Sequence, residues 1–261
     1  MPIESVLLNV ADVERSVEFY TRFLRATLVG GASADKAVLD LVTATLEVNR
    51  IRHPVPTTWI GDDLQRGFRH IGFKVARLAP MVVELKNAGV PFHLDPLDAE
   101  GGVRITFFFD PDGTLLELVE GDLQYHSIVS ETGVADERAL GLPSRPRFDH
   151  VATTVVDFDA AAKFYAPLGF EHIGTITQPK DPRGFQIDYL RGGNTVLEVF
   201  AWENETVPRA PQLDSAGFRA IQLSVRRAEQ VTGAIPLGST ESGPAVLSDP
   251  DGLAFSIGAH G

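Results

Sequence analysis

The sequence predicts an α+β protein assembled from four copies of a strand–helix–three-strand module, and three observations carry that prediction. Four strand-like openings recur along the chain: "IESVLLNV" from Ile3, "FRHIGFKV" from Phe68, "FDHVATTV" from Phe148 and "FRAIQLSV" from Phe218. Four closing strands recur as well, "ATLEV", "TLLELV", "TVLEVF" and "LAFSIG". The tetrapeptide "DPDG" stands at Asp110–Gly113 and again at Asp249–Gly252, equally far ahead of Glu117 and Ser256, and this fixes the register of the closing strands. Two columns follow from the alignment. The opening column holds Ser5, His70, His150 and Ala220, and the closing column holds Glu47, Glu117, Glu198 and Ser256.

Each element has a local reason. In the first copy "SVLLNV" is β-branched and apolar, Asp12 can cap the following helix, and Val13, Val17, Tyr20 and Leu24 recur at helical spacing on one face. Copy two places its helix in "MVVELKNAG", with Gly89 suited to end it in a left-handed conformation. Copy three repeats the first, with Asp157 before "FDAAAKFY" and Phe164–Tyr165 echoing Phe19–Tyr20. Copy four is the most eroded, with a short helix expected around Glu229–Ala234. The "DPDG" segments read as turns, because proline presets φ and glycine accepts a positive φ. Strand, helix and turn signals in this order argue for paired α+β modules and against a helical solenoid.

Linkers punctuate the copies at 49–66 and 202–216, and the longest runs from Gly121 to Arg147 with the Pro-rich "GLPSRPR". The expected division is therefore a first domain at 1–121 (modules 1–50 and 66–121), a linker at 122–146, and a second domain at 147–261 (modules 147–201 and 216–261).

Composition limits the chemistry. The 261 residues are 44% hydrophobic and 22% charged, enough for a full core. A net charge of −12 argues against nucleic acid or an anionic membrane as partner and favours a small molecule. No cysteine is present, so disulfides and thiolate chemistry are excluded and any metal must be held by His and carboxylate. No signal-like or membrane-length apolar segment is apparent, and a cytoplasmic location is expected.

The His and Glu columns are the sharpest chemical signal. Glu117 and Glu198 sit inside the apolar runs "LLELV" and "VLEVF", where an unpaired buried carboxylate is costly and a cation explains it better than solvent does. Glu47 lies in a similar run without a His in its own module, so a strand residue bonded to a neighbour is an equal reading for it. His53 and His126 fall in linkers and read as surface residues. Phe107, Phe108 and Phe109 alternate faces and read as core.

The chain resembles the vicinal oxygen chelate superfamily, the family of glyoxalase I, bleomycin resistance proteins and extradiol dioxygenases. "VADVERSVEFY" and "DPDGTLLE" carry the resemblance, together with the βαβββ order in all four copies. It implies two domains, each a curved, incomplete barrel built from paired modules around one divalent metal, whether Fe, Ni, Co, Mn or Zn. Pairing decides the site. Adjacent pairing splits the ligands into two incomplete sets. Crossed pairing of modules two and three unites His70, Glu117, His150 and Glu198 and leaves modules one and four with a dead set. The crossed arrangement is preferred, since the unified set resembles the metal ligands of glyoxalase I.

That resemblance further implies an isomerase, epimerase or lyase acting on a molecule with neighbouring oxygens through an enediolate, with Glu117 or Glu198 as the proton carrier. The alternatives are an Fe(II) ring-cleaving dioxygenase using His70, His150 and Glu117, and a non-catalytic drug or metabolite binder of the resistance-protein type. Arg104, Arg183 and Tyr189 are candidate substrate contacts, either arginine being able to grip a carboxylate or phosphate. A monomer or a homodimer fits the four-module chain.

Overall fold

The structure, a computed structural model, describes residues 2–224, 231–238 and 245–258. The first module contains β1 (Ile3–Val10), α1 (Val13–Leu24), β2 (Thr27–Leu28), β3 (Lys36–Asp40) and β4 (Thr45–Arg50). The second contains β5 (Gly67–Val75), α2 (Leu78–Asn87), β6 (Phe92–Asp98), β7 (Arg104–Phe109) and β8 (Leu115–Glu120). Next come β9 (Ser127–Ile128) and α3 (Glu131–Ala139). The third module follows with β10 (Arg147–Val155), α4 (Phe158–Tyr165), β11 (Glu171–Thr177), β12 (Phe185–Gly192) and β13 (Thr195–Trp202), and the fourth with β14 (Gly217–Leu223), β15 (Ile235–Gly238), β16 (Val246–Ser248) and β17 (Ala254–Ile257). The helix expected at Glu229–Ala234 begins outside the described residues, and Val231–Ala234 form a turn.

Capping follows the sequence. The Asp12 side chain accepts from the Arg15 N–H and Asp157 from the Ala160 N–H, each satisfying an orphan donor of a helix start. Gly89, at φ 74°, follows the end of α2.

Among the described residues the strands form two open sheets, and neither closes into a barrel. One runs β15-β16-β17-β14-β1-β4-β3-β2 and the other β6-β7-β8-β5-β10-β13-β12-β11-β9. The sheets thus cross the chain order, joining module one to module four and module two to module three. In the second sheet β5 and β10 are antiparallel neighbours at the centre, with Ile71 opposite Val151, and β8 and β13 flank them in parallel.

Adjacent modules are tied by another device. The Tyr20 hydroxyl at the core face of α1 donates to Asp110 of the first "DPDG" (2.8 Å), and Tyr165 of α4 donates to Asp249 of the second (2.8 Å). Each of these carboxylates also accepts backbone N–H groups of its own turn. The tetrapeptides are therefore more than punctuation, because they anchor the helix of the neighbouring module to the turn. Burial pushes the Asp110 and Asp249 carboxyls up to about 6.

The stretch 122–146, expected as a linker, carries structure. Its β9 adds an edge strand beside β11, and α3 packs against β11 with Val134 buried. The signal was weak because the segment gains its order from tertiary pairing with residues some fifty positions away. Among the described residues no helix is long and apolar enough to cross a membrane.

Candidate metal centre

One face of the second sheet holds the site. Strand alternation sets its membership: residues two apart share a face, so His70 on β5, Glu117 on β8, His150 on β10 and Glu198 on β13 all point to one side. All four are buried. His70 Nε2 lies 3.1 Å from His150 Nε2, 3.2 Å from Glu117 Oε2 and 3.2 Å from Glu198 Oε2. His150 Nε2 lies 3.0 Å from Glu117 Oε2 and 3.3 Å from Glu198 Oε2. All four ligand atoms fall within 4.8 Å of one another.

These spacings fit one ion. Two donors each about 2.1 Å from a metal and at right angles to it lie about 3 Å apart. A second observation agrees. Glu117 Oε2 is buried and, among the described residues, faces only the two imidazole nitrogens, at 3.0 and 3.2 Å, with no hydroxyl, amide or guanidinium donor. An orphaned carboxylate oxygen in such a place is costly unless a cation satisfies it. His150 Nδ1 is 3.1 Å from Asp149 Oδ2, a contact that orients the ring and leaves Nε2 facing the other three residues. Burial alone would raise the Glu117 carboxyl, and the two imidazoles outweigh it and hold it below the usual carboxylate range.

Space for the His150 ring comes from Gly72, its cross-strand partner on β5. A Cβ built at Gly72 would lie 2.0 Å from His150 Cε1. Ordinary strand backbone makes this glycine a matter of room for the imidazole and not of dihedral freedom.

The four residues form the floor of a cavity of about 620 Å³. Its walls are mostly apolar, with Leu97, Val103, Ile105, Phe107, Ile187 and Phe200 prominent. Phe107 meets the His70 ring edge-on at 4.9 Å, so the Phe107–Phe109 run does split between faces, Phe108 going to the core and Phe107 to the cavity. Charged groups gather at the mouth, and the bases there are already engaged. Arg69 pairs with Asp63 at 2.7 Å and lies over the Phe200 ring at 4.0 Å, while Lys180 is 3.4 Å from Glu100.

The expected substrate contacts are distributed differently. Arg104 is exposed, 3.9 Å from Asp98, and does not line the cavity. Arg183 is held by Asp63 at 3.0 Å and Asp181 at 2.7 Å and lies 4.6 Å over Trp202, so its guanidinium is committed within the protein. Tyr189 does line the cavity, and its hydroxyl donates to Glu198 Oε1 at 2.9 Å. Arg69 was missed, though it stands directly before His70. Its neighbour Asp63 lies in the preceding linker, and its stacking partner Phe200 is 131 positions away, so sequence proximity alone could not reveal either contact. In the other sheet, Glu47 pairs with Lys36 at 2.8 Å and Ser5 and Ser256 are buried without a histidine beside them in their columns.

The comparisons agree with this architecture. Residues 3–118 match the family described as the Glyoxalase/Bleomycin resistance protein/Dioxygenase superfamily. The uncharacterized protein YwkD of Bacillus subtilis (strain 168) is 31% identical over 125 residues, which are 45% of this chain and 95% of YwkD. The chain belongs to the glyoxalase/bleomycin resistance protein/dioxygenase superfamily. Among solved structures, glyoxalase I from Zea mays superposes with a TM-score of 0.67 at 18% identity, covering 98% of this chain and 91% of that one. Its V278E mutant gives 0.69 at 18% identity, with the same coverage. A Bacillus subtilis structure named as a candidate dioxygenase gives 0.62 at 16% identity, over 98% of this chain and 84% of the other. At these identities the likeness is one of fold.

Proposed function

We propose that the protein is a metal-dependent enzyme of the isomerase, epimerase or lyase class, acting on a small uncharged molecule that carries neighbouring oxygens. The observation that carries this reading is the convergence of two His nitrogens and two Glu oxygens at the floor of an apolar cavity. His70, His150, Glu117 and Glu198 would hold a divalent ion, which when bound supplies Lewis acidity toward substrate oxygens. Two imidazoles and two carboxylates are donors that Fe, Ni, Co, Mn and Zn all accept.

The residues themselves supply the rest. The apolar walls exclude water and orient the substrate body, and a carboxylate of the set is placed to take a proton from the carbon beside the carbonyl and return it to the same or the next carbon. Arg69, the buried base of the mouth, is already paired with Asp63, which favours an uncharged substrate over an anionic one. A ring-cleaving dioxygenase using both histidines and one glutamate is the second reading, favoured by the ring edges of Phe107 and Phe200 around His70 at 4.9 and 6.3 Å. The approach of Glu198 to both imidazoles ranks it second.

The test is solvent exchange. Metal-loaded protein in D2O should place deuterium on the hydroxyl-bearing carbon next to the carbonyl of uncharged α-hydroxyketones, followed by NMR, without oxygen uptake. Oxygen consumption with catechols and no exchange would favour the second reading.

A further inference from the structure

The two glutamates are not equivalent. Pseudo-symmetry places Glu117 on β8 opposite Phe107 of β7, and Glu198 on β13 opposite Tyr189 of β12. The cross-strand neighbour is an aromatic ring in both halves, and only one ring carries a hydroxyl. Tyr189 uses it to donate to Glu198 Oε1 at 2.9 Å, while Glu198 Oε2 faces the two imidazoles. Glu117 has no such tether: among the described residues no hydroxyl, amide or guanidinium is hydrogen-bonded to it, and its inward oxygen is orphaned.

The tether is itself braced. The Tyr125 ring packs edge-on against Tyr189 at 5.2 Å, and the Tyr125 hydroxyl donates to Glu137 Oε2 of α3 at 2.8 Å. Tyr125 fits there because Gly174 on β11 has no side chain, a Cβ at that position lying 2.7 Å from the ring. The inserted segment between the two halves thus buttresses one side of the site, and among the described residues the other side has no equivalent.

We infer that Glu198 is the fixed carboxylate ligand, held by Tyr189 as a positioning residue, and that Glu117 is the mobile carboxylate free to leave the ion and carry the proton. Holding one oxygen of Glu198 fixes the direction of the other, so the entropy of orienting that ligand is already lost before any ion arrives. Glu117 has only the ion and the imidazoles to hold it, and swinging away breaks no hydrogen bond to a hydroxyl or amide. The inference rests on the metal-centre reading and assigns the roles within it.

The test uses Co2+ alone, titrated into the full-length, metal-stripped chain by calorimetry and by the visible spectrum of the bound ion. Glu198→Gln should weaken Co2+ binding at least tenfold more than Glu117→Gln. Tyr189→Phe should weaken it about tenfold and shift the visible band, in the range found when an outer-shell partner is lost. It should add little in the Glu198→Gln background, which a merely structural role for Tyr189 would not predict. Phe107→Tyr, which offers Glu117 the missing hydroxyl, should leave binding equal or tighter and slow solvent exchange. Equal or greater weakening by Glu117→Gln, or a Tyr189→Phe protein that binds and absorbs like wild type, overturns the assignment. Failure of the wild-type chain to take up Co2+ overturns the metal-centre reading itself.

Discussion

Gly72→Ala isolates the packing that lets the site exist. The new Cβ would lie 2.0 to 2.4 Å from three atoms of the His150 ring, far inside contact distance, and the ring has to move because the Cβ is fixed to the central strand. Overpacking of this kind costs about 1–3 kcal/mol. Removing a strand glycine returns roughly 0.5–1 kcal/mol, so the expected net loss is about 0–2.5 kcal/mol. The effect on the ion is larger than on the fold: displacing a ligand should lower Co2+ affinity by about 100-fold or more, beyond the effect of losing an outer-shell partner. The assay is a double-mutant cycle read by urea unfolding. In a His150→Ala background the ring is gone, so Gly72→Ala should become neutral or stabilising, with a coupling of about 1–3 kcal/mol. Additive effects, or a Gly72→Ala protein that binds Co2+ like wild type, would refute the reasoning.

Asp110 and Asp249 predict a pH dependence of stability. Their folded values near 6 lie above the ordinary 3.8, so their contribution is fully present below about pH 3.8 and is lost as pH rises through about 6. A shift of that size is worth about 3 kcal/mol for each carboxyl. Asp110→Asn keeps an acceptor for the turn but cannot ionise, and should remove its own share, about 3 kcal/mol, of the stability lost between pH 4 and 7 in urea titrations. An unchanged pH profile contradicts the burial argument. Asp63→Asn should release Arg69 and Arg183 from their shared partner and give the cavity mouth a salt-sensitive affinity for small anions such as pyruvate, measurable by calorimetry. Equal anion binding by the wild type would show that the arginines were never sequestered.

The repeats make the modules and the His and Glu columns legible, because a period-2 strand records which side chains share a face and an aligned pair of His and Glu stands out from apolar neighbours. Completeness of the His and Glu set favours the crossed pairing, and the sheet order has that pairing. What stayed hidden depends on contacts distant in sequence. Gly72 reads as an ordinary strand glycine until β10 is laid beside it, and Tyr125 and Glu137 read as linker until β9 and α3 are docked on β11. Arg183 has one acidic partner within its own loop, Asp181, and a second, Asp63, that lies 120 positions earlier and is brought beside it only by the fold. The "DPDG" turns looked complete in themselves, since their bonds to Tyr20 and Tyr165 join different modules.

The most direct test of the shared centre is Co2+ titration of the metal-stripped chain and its His70→Ala and His150→Ala variants. One ion per chain, lost alike in both variants, with thermal unfolding of the wild type raised by the ion, is the predicted result. Retention of the ion when either histidine is removed, or uptake at two independent sites, would contradict a single centre built jointly by the second and third modules.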